Sequence, residues 1–518
     1  MKKIVIYTAL LGLAFSQTAC DDFLKEDSGD LLIPKKVEEF APVLYGEAYP
    51  SNFDKEVAWI TLMTDDIEMG RLEKDPSKTP PVEEMESTYE DGRQAFIWHQ
   101  NIAEKITDTY WDKRYANILG CNTIIDALPA MEYEPQEEGT YNFLAAQAYA
   151  LRAYHYFCLI NIYALPWTKG NLDELGVILR LHPQIATEPR ERATIGEVYQ
   201  QINEDIAKAR EYAEKCEPSA NKHLIGPAAI ELLATRIALF QERWDEVLEI
   251  GTDFLKANSQ LTDLNEVSEE KMGTTTITDY AFMNLAENKE ILFTFGSYSR
   301  FYEYLSDPDG GIMWGLGFRV SYSGEGSLIR TYEDDDLRKK AWFCQDYVKE
   351  AEFFWEADEY FYGFHYPLKY RGTTMGNGYH ENWRTAEVVL NVAEAYARKA
   401  EGVSQDAIDL LNKLRERRIR KSAYQPKTMA DFTDKEDLVK FIWTERRREL
   451  CFEECMRFWD LRRQGMPELV HVYYTSYTEK ETYVLRKGSP NYVLSLPASE
   501  TKYNFLVTSN PREWIGEK

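Results

Sequence analysis

The sequence predicts a mostly α-helical body made of helix pairs, with irregular, loop-rich segments set between them. Three observations carry this. Long stretches place apolar residues at helical spacing. Several of those stretches contain a short internal break, as paired helices do. The segments between them lose that period and fill with Pro, Gly, Asp and aromatic residues. In chain order, ITDTYWDKRYANILGCNTIIDALP sets Trp111, Tyr115, Ile118 and Ile125 on one helical stripe and stops at Pro129. YNFLAAQAYALRAYHYFCLINIYALPW is a long Ala- and aromatic-rich helix ending near Pro166. TIGEVYQQINEDIAKAREYAEK opens with Thr194 and Glu197 at the spacing of a capping box. GPAAIELLATRIALFQERWDEVLEIGTDFL reads as two helices broken at Gln241–Arg243, and Ala228, Ala229, Ala234 and Ala238 leave room for a partner helix. WRTAEVVLNVAEAYARKAEGVSQDAIDLLNKLRERR repeats the plan, with a break at Gly402 and a cap at Ser404.

Helix pairs of this size are similar to tetratricopeptide units, although the consensus is incomplete. Such pairs normally form a scaffold for binding. Aperiodic inserts fall near residues 46–100, 296–325 and 341–383. Turn signals mark them at Pro50, Pro80–Pro81, Pro308, Asp309–Gly310 and Gly376–Gly378. Loops on a rigid body are where binding residues concentrate. The expected organisation is a leader, residues 1–19, and one body over residues 20–518.

The leader rests on MKKIVIYTALLGLAFSQTACDD. Lys2 and Lys3 form a positive start, and Ile4 to Phe15 is apolar but too short to span a bilayer. Small residues precede Cys20. The segment resembles a bacterial lipoprotein signal, with Gln17 where Leu is usual, and the resemblance implies that Cys20 carries the lipid. An ordinary secretory signal with a chance cysteine is the alternative. The net charge of −27 disfavours nucleic acid as a partner. Twelve Trp, 34 Tyr and 24 Phe supply both core rings and stacking surfaces. The seven cysteines are scattered without zinc spacing, and buried free thiols are expected.

The strip ERRRELCFEECMRFWDLRRQG, Glu445 to Gly465, interleaves charge with bulky apolar residues. Read as one helix over Leu438 to Arg463, it puts Leu438, Ile442, Glu445, Glu449, Phe452, Met456 and Trp459 on one face. Glu445 and Glu449 then lie inside an apolar stripe and each needs a cation. Arg448, Arg446 or an arginine of Leu414–Arg420 serves that need. A glycosidase dyad, two carboxylates about 5–9.5 Å apart, is the competing reading. A pair on one packed helix faces a core rather than a cleft, so Glu445, Glu449 and Arg448 are read as a structural ionic cluster.

The same strip, together with WDKRYANILGCNTII, ALRAYHYFCLINIYALPW, AAIELLATRIALF, VVLNVAEAYARK, LNKLRERR and the terminal VTSNPREW, resembles the SusD/RagB family of outer-membrane nutrient-binding lipoproteins. These motifs follow the family's order and span nearly the whole chain. The resemblance implies a SusD-like, non-catalytic surface protein anchored in the outer membrane. It would capture oligosaccharides, or peptides in some members, for a SusC-like TonB-dependent β-barrel transporter. A secreted glycosidase and a scaffold without a small ligand are the alternatives from other classes. The family pattern does not fix ligand residues. Sugar rings stack on flat aromatics and their hydroxyls pair with planar polar groups. On that ground the candidates are Trp98 beside His99 and Asn101, Trp314 with Tyr298 and Tyr302, and Asp65, Asp66 and Arg71. No phosphate loop or HExxH helix occurs, so no cofactor or metal is expected. GLGFRV at Gly315 lacks a third glycine. DPDGG at Asp307 and EDDDLR at Glu333 lack a calcium-loop pattern and read as a turn and a solvated helix start.

Overall fold

The computed structural model describes residues 34–516, apart from 51–53, 72–91, 184–188, 217–218, 273–281, 285–287, 297–315, 348–360, 368, 370–380 and 476–478. The leader and Cys20 lie outside the described residues. The chain is mostly helical: α1 Val37–Val43, α2 Asp54–Leu62, α3 Ala103–Ala127, α4 Glu138–Tyr163, α5 Ile195–Ala213, α6 Pro227–Phe240, α7 Trp244–Ala257, α8 Thr385–Lys399, α9 Gln405–Glu416, α10 Lys435–Leu450, α11 Met456–Arg463 and α12 Ala498–Tyr503. From α3 to α9 each helix packs on the next, and α10 packs on α8. Each helix therefore buries its apolar stripe against a sequence neighbour, as helix-pair stacking requires.

The expected caps and breaks are present. Thr194 Oγ1 accepts from the Glu197 amide at 3.2 Å, and Glu197 Oε2 accepts from the Thr194 amide at 2.8 Å. Ser404 Oγ accepts from the Ala407 amide at 3.3 Å and starts α9. The break between α6 and α7 turns at Glu242, whose φ is +53°. Ala229, Ala234 and Ala238 are buried. Helix α4 is buried along nearly its whole length and is the axis on which α3 and α5 lean.

Among the described residues, four two-stranded antiparallel sheets form in and beside the inserts and in the C-terminal region. Their strands are β1 Ile67–Arg71, β2 Ile291–Phe295, β3 Leu316–Val320, β4 Phe343–Tyr347, β5 Phe361–Pro367, β6 Glu381–Arg384, β7 Leu469–Tyr474 and β8 Lys480–Leu485. They pair as β1–β3, β2–β6, β4–β5 and β7–β8. β1 also packs on β7, and β3 on β5. The described residues of the inserts thus include α2 and strands where the sequence shows no helical period. In α2, Val57 to Leu62 are all buried, so no polar face exists to show a period.

The helix expected over Leu438 to Arg463 is two helices. α10 stops at Leu450, and the turn before α11 takes Phe452 and Glu454 to φ values of +60° and +46°. Glu453 and Glu454, within this turn, go to different cations. EDDDLR also differs from the solvated start expected of it. Asp336 and Arg338 are buried, and Arg338 donates to both Asp336 carboxylate oxygens. Cys121, Cys158, Cys216, Cys451 and Cys455 are free thiols.

Gly120 shows how closely α3 approaches the π-helical turn Leu44–Ala48. A Cβ at this position would stand 2.6 Å from the Glu47 carbonyl, which is backbone. Gly120→Ala is expected to destabilise the fold by about 1–3 kcal/mol. An unchanged urea midpoint would contradict this packing.

Candidate ligand-binding face

The face stands on a buried ionic layer built from α10. Its N-cap Asp434 accepts from the Asp437 amide at 2.9 Å, and Glu445 and Glu449 then fall one turn apart with no solvent exposure. Glu445 is met by Arg338 at 2.6 Å, Arg448 at 2.9 Å and Arg415 at 3.3 Å. Glu449 is met by Arg418 at 2.8 Å, Arg384 at 2.9 Å and Arg338 at 2.9 Å. Glu290 bridges Arg418 and Arg384 at 2.6 and 2.8 Å. Glu453 takes Arg384 at 2.7 Å and Lys369 at 2.8 Å. Burial pushes the Glu445 carboxyl up, but Arg338, Arg448 and Arg415 together outweigh it and hold it at about 2. For Glu449, too, burial is overcome, by Arg418, Arg384 and Arg338, and its carboxyl stays well below the ordinary range.

Lys369 has no solvent exposure and also donates to the carbonyls of Glu449 and Cys451 at 2.8 and 2.9 Å. Two residues after β5, it ties the 341–383 insert to the layer. Arg446, one of the cations considered for the glutamates, instead serves Asp460 at 2.8 Å and Asn391 at 2.7 Å.

Asp65 and Asp66 belong to this ionic framework. Arg457 grips both Asp65 oxygens at 2.7 Å, and Arg447 takes Asp66 at 2.7 Å. Burial works against the Asp65 charge, but Arg447 and Arg457 keep its carboxyl well below the usual value. The two aspartates pin the segment between α2 and β1 to α10 and α11. Asp66, at 1% exposure, is therefore unavailable to a ligand.

Trp98 is likewise not a stacking platform. It is fully buried, its backbone is left-handed with φ +53°, and its indole N–H donates to the Met63 carbonyl at 2.8 Å. Its ring stacks on His471 at 4.1 Å, and Phe96 stacks on the same imidazole at 4.1 Å. Burying a large ring with its one donor satisfied makes Trp98 a core residue. Neighbouring Asn101 is exposed and His99 half-buried, and the Asn101 amide donates to His99 Nδ1 at 3.1 Å. Arg71 ends β1 opposite Leu316, two residues after Trp314 in sequence. Tyr298, Tyr302 and Trp314 lie outside the described residues.

The structure adds residues that the sequence reading missed. On the β1–β3 sheet, Glu68 accepts from Arg319 at 3.0 Å, from Ser323 Oγ at 2.6 Å and from the Tyr322 amide at 3.1 Å. The Arg319 guanidinium lies 4.4 Å from the Tyr322 ring centre. On the adjacent hairpin, Arg93 pairs with Glu481 at 2.9 Å and covers Tyr473 at 4.9 Å. Tyr483 donates to Glu481 at 2.6 Å; burial and then this carboxylate push its hydroxyl up to about 12. Tyr322, Tyr473 and Tyr474 are half-buried, and the Tyr474 amide meets Met69 Sδ of β1 at 3.1 Å. The result is a surface with two patches of partly exposed tyrosine and oriented carboxylate–guanidinium pairs, one on the β1–β3 sheet and one on the β7–β8 hairpin that packs against β1. Such a face offers flat rings to apolar surfaces and fixed donors and acceptors to hydroxyls. The signal for it was the run LVHVYY followed by charged KETYVL.

Two family profiles match the chain. One, described as starch-binding associating with outer membrane, matches residues 51–235; the other, the SusD family, matches residues 248–514. The chain belongs to the SusD family. No curated relative matches it in sequence. Among solved structures it is similar to a SusD-like carbohydrate-binding protein of Bacteroides vulgatus, at 19% identity and TM-score 0.65 over 92% of this chain and 98% of the other. A SusD superfamily protein of Bacteroides thetaiotaomicron gives 20% and 0.64 over 92% and 100%. Surface glycan-binding protein A of Bacteroides fluxus gives 18% and 0.62 over 92% and 100%. These likenesses establish a shared fold. Among the described residues, no helix is long and apolar enough to cross a membrane.

Two predictions test the ionic architecture. Glu449→Leu removes one of the two carboxylates that Arg384 and Arg418 share, leaving Glu290 alone between them, and is expected to cost about 3–5 kcal/mol, read by chemical denaturation; a loss below about 1 kcal/mol would refute the layer's role. The second concerns Glu454, which accepts from Tyr154 at 2.6 Å and lies 2.9 Å from Arg236, itself bound bidentately to Glu387. Burial pushes Glu454 up to about 7, and nearby Glu381 and Glu387 reinforce burial against the pull of Arg236. Because the folded value is raised, the stability this group contributes is full below about 4.5 and is lost as pH rises through about 7. Glu454→Gln should flatten stability across that window, and an unchanged pH slope would contradict it.

Proposed function

We propose that this chain is a cell-surface glycan-binding protein that captures oligosaccharides and passes them to a TonB-dependent outer-membrane transporter. Family membership supports the class, and the profile over residues 51–235 is described as starch-binding and outer-membrane-associated. Fold relatives include proteins described as carbohydrate-binding and glycan-binding. The observation that carries the reading is the face formed by Tyr322, Tyr473 and Tyr474 with the Glu68–Arg319 and Arg93–Glu481 pairs. Asn101, Arg71, Tyr298, Tyr302 and Trp314 remain proposed ligand-binding residues on the chemistry of their side chains alone. Binding is favoured over hydrolysis, since Glu445 and Glu449, the pair a glycosidase would need, are sealed beneath arginines. A lipid on Cys20 completes the proposal: acyl chains contribute about 0.8 kcal/mol per buried CH₂ and would hold the body at the outer membrane.

Affinity electrophoresis against a panel of neutral polysaccharides tests it. Tyr473→Ala combined with Tyr322→Ala is expected to weaken retention about tenfold, as losing two stacking rings would, with helical circular dichroism unchanged. Full retention by the double variant would move the site elsewhere. Radiolabelled palmitate incorporation, lost in Cys20→Ala, tests the anchor.

A further inference from the structure

Four tyrosines form a continuous row on the outside of the first helix pairs, on α4, α5 and the segment before α4. Tyr133 stacks on Tyr141 with ring centres 4.5 Å apart and planes within 23°. Tyr141 meets Tyr212 of α5 edge-on at 6.3 Å. Tyr212 lies nearly parallel to Tyr149, at 6.0 Å and 11°. Tyr141 and Tyr149 are eight residues apart on α4, hence about 12 Å along its axis, and the ring of Tyr212 fills that interval. Tyr133 is 43% exposed and the other three are half-buried. Lys215 stands 5.7 Å from the Tyr212 ring centre and Arg152 stands 5.6 Å from that of Tyr149.

We propose that this row is a second carbohydrate-binding surface, one that takes consecutive sugar residues of an extended, uncharged glycan. It shares the ligand class of the proposed function, on which it rests, but none of the residues of that face. The composition favours sugar over protein. Over residues 131–149 and 204–216, Tyr133 is the one exposed large apolar side chain among the described residues. A protein partner would be held by exposed aliphatic groups, whereas a pyranose offers an apolar C–H face to a ring and hydroxyls to its edge. Charge selects the kind of glycan. Glu132, Glu134 and Glu138 are exposed around Tyr133, and Glu211 is already paired with Lys208 and Lys215 at 2.9 and 3.2 Å. Arg152 is committed to Asp205 at 2.6 Å. Lys208 and Lys215 share Glu211, and exposed Lys35 and Lys36 lie on the segment bridged to Glu132 beside the acidic residues, so the charge along the row is mixed and offers no concentrated positive field to hold a sulfated or uronic polymer. Burial and the neighbouring Tyr212 push the Tyr141 hydroxyl up to about 12.

The test uses the full-length protein in native gels cast with soluble starch, xyloglucan, β-mannan or, as the anionic case, polygalacturonate. Tyr133→Ala with Tyr212→Ala is expected to lower retention on the neutral polymer that the wild type binds by about tenfold. The matching Tyr→Phe pair, which keeps the rings, should retain it. Calorimetry with a short oligosaccharide of the same polymer, bound at the strand face, should be unchanged by the alanine pair. If the alanine pair perturbs folding, Tyr133→Ala alone, at an exposed ring, should still reduce retention. Protection of Tyr133 from nitration by the polymer provides an independent readout. Full retention by the alanine variants, or nitration unaffected by polymer, overturns the second surface. Loss of retention only in the Tyr473 and Tyr322 variants also overturns it while leaving the strand face standing. Loss only in the row variants does the reverse.

Discussion

Glu449 holds three guanidinium groups together with no solvent exposure, and much of the molecule is arranged around that fact. Arg338 comes from the single helical turn Arg338–Ala341 that leads into β4, Arg384 from the end of β6, and Arg418 from just beyond α9. Elements distant in sequence therefore converge on one carboxylate. The charges there gain little net stability over an apolar core of equal volume, because removing each from water is costly. What they impose is geometry. A hydrophobic contact tolerates sliding; a carboxylate shared among three planar forks does not.

That geometry positions the irregular part of the protein. Lys369 fastens β5 to the layer, while Asp65 and Asp66 fasten β1 through Arg447 and Arg457. The strands bearing Glu68 and Arg319, with Tyr322 just beyond β3, are thus fixed to the helical scaffold at both margins. A binding face made from loop insertions would otherwise lose affinity to the entropy of ordering itself at each encounter. Here that ordering is completed in the folding of the scaffold.

The helical scaffold was legible because each helix has one buried stripe and ends at a recognisable cap or break: Thr194 with Glu197, Gln241–Arg243, Gly402 and Ser404. The ionic role of Glu445 and Glu449 was legible for a related reason, since two carboxylates in an apolar stripe demand cations. Arg338 and Arg384, which supply much of that demand, were not, because each stands far away in sequence inside an aperiodic segment. The candidate ligand residues read least well. Trp98 and Asp66 have the chemistry a sugar site wants, yet a tryptophan or aspartate looks identical in sequence whether it faces solvent or core. Only the left-handed turn at Trp98 and the partner His471 decide that ring's fate. Tyr322, just past β3, and Tyr473, on β7, leave no periodic trace, because a lone half-exposed tyrosine on or beside a short strand has none to leave.

The five-residue reversal between α10 and α11 carries a further consequence. Glu453 and Glu454 are adjacent, yet the first joins Arg384 and Lys369 and the second joins Arg236 and Tyr154. One peptide unit therefore separates two independent electrostatic circuits, one reaching the strands and the other the first helix pairs. Removing a single residue there would exchange the assignments and leave both circuits mismatched. The length of this reversal should thus tolerate indels far less than the surface loops around it.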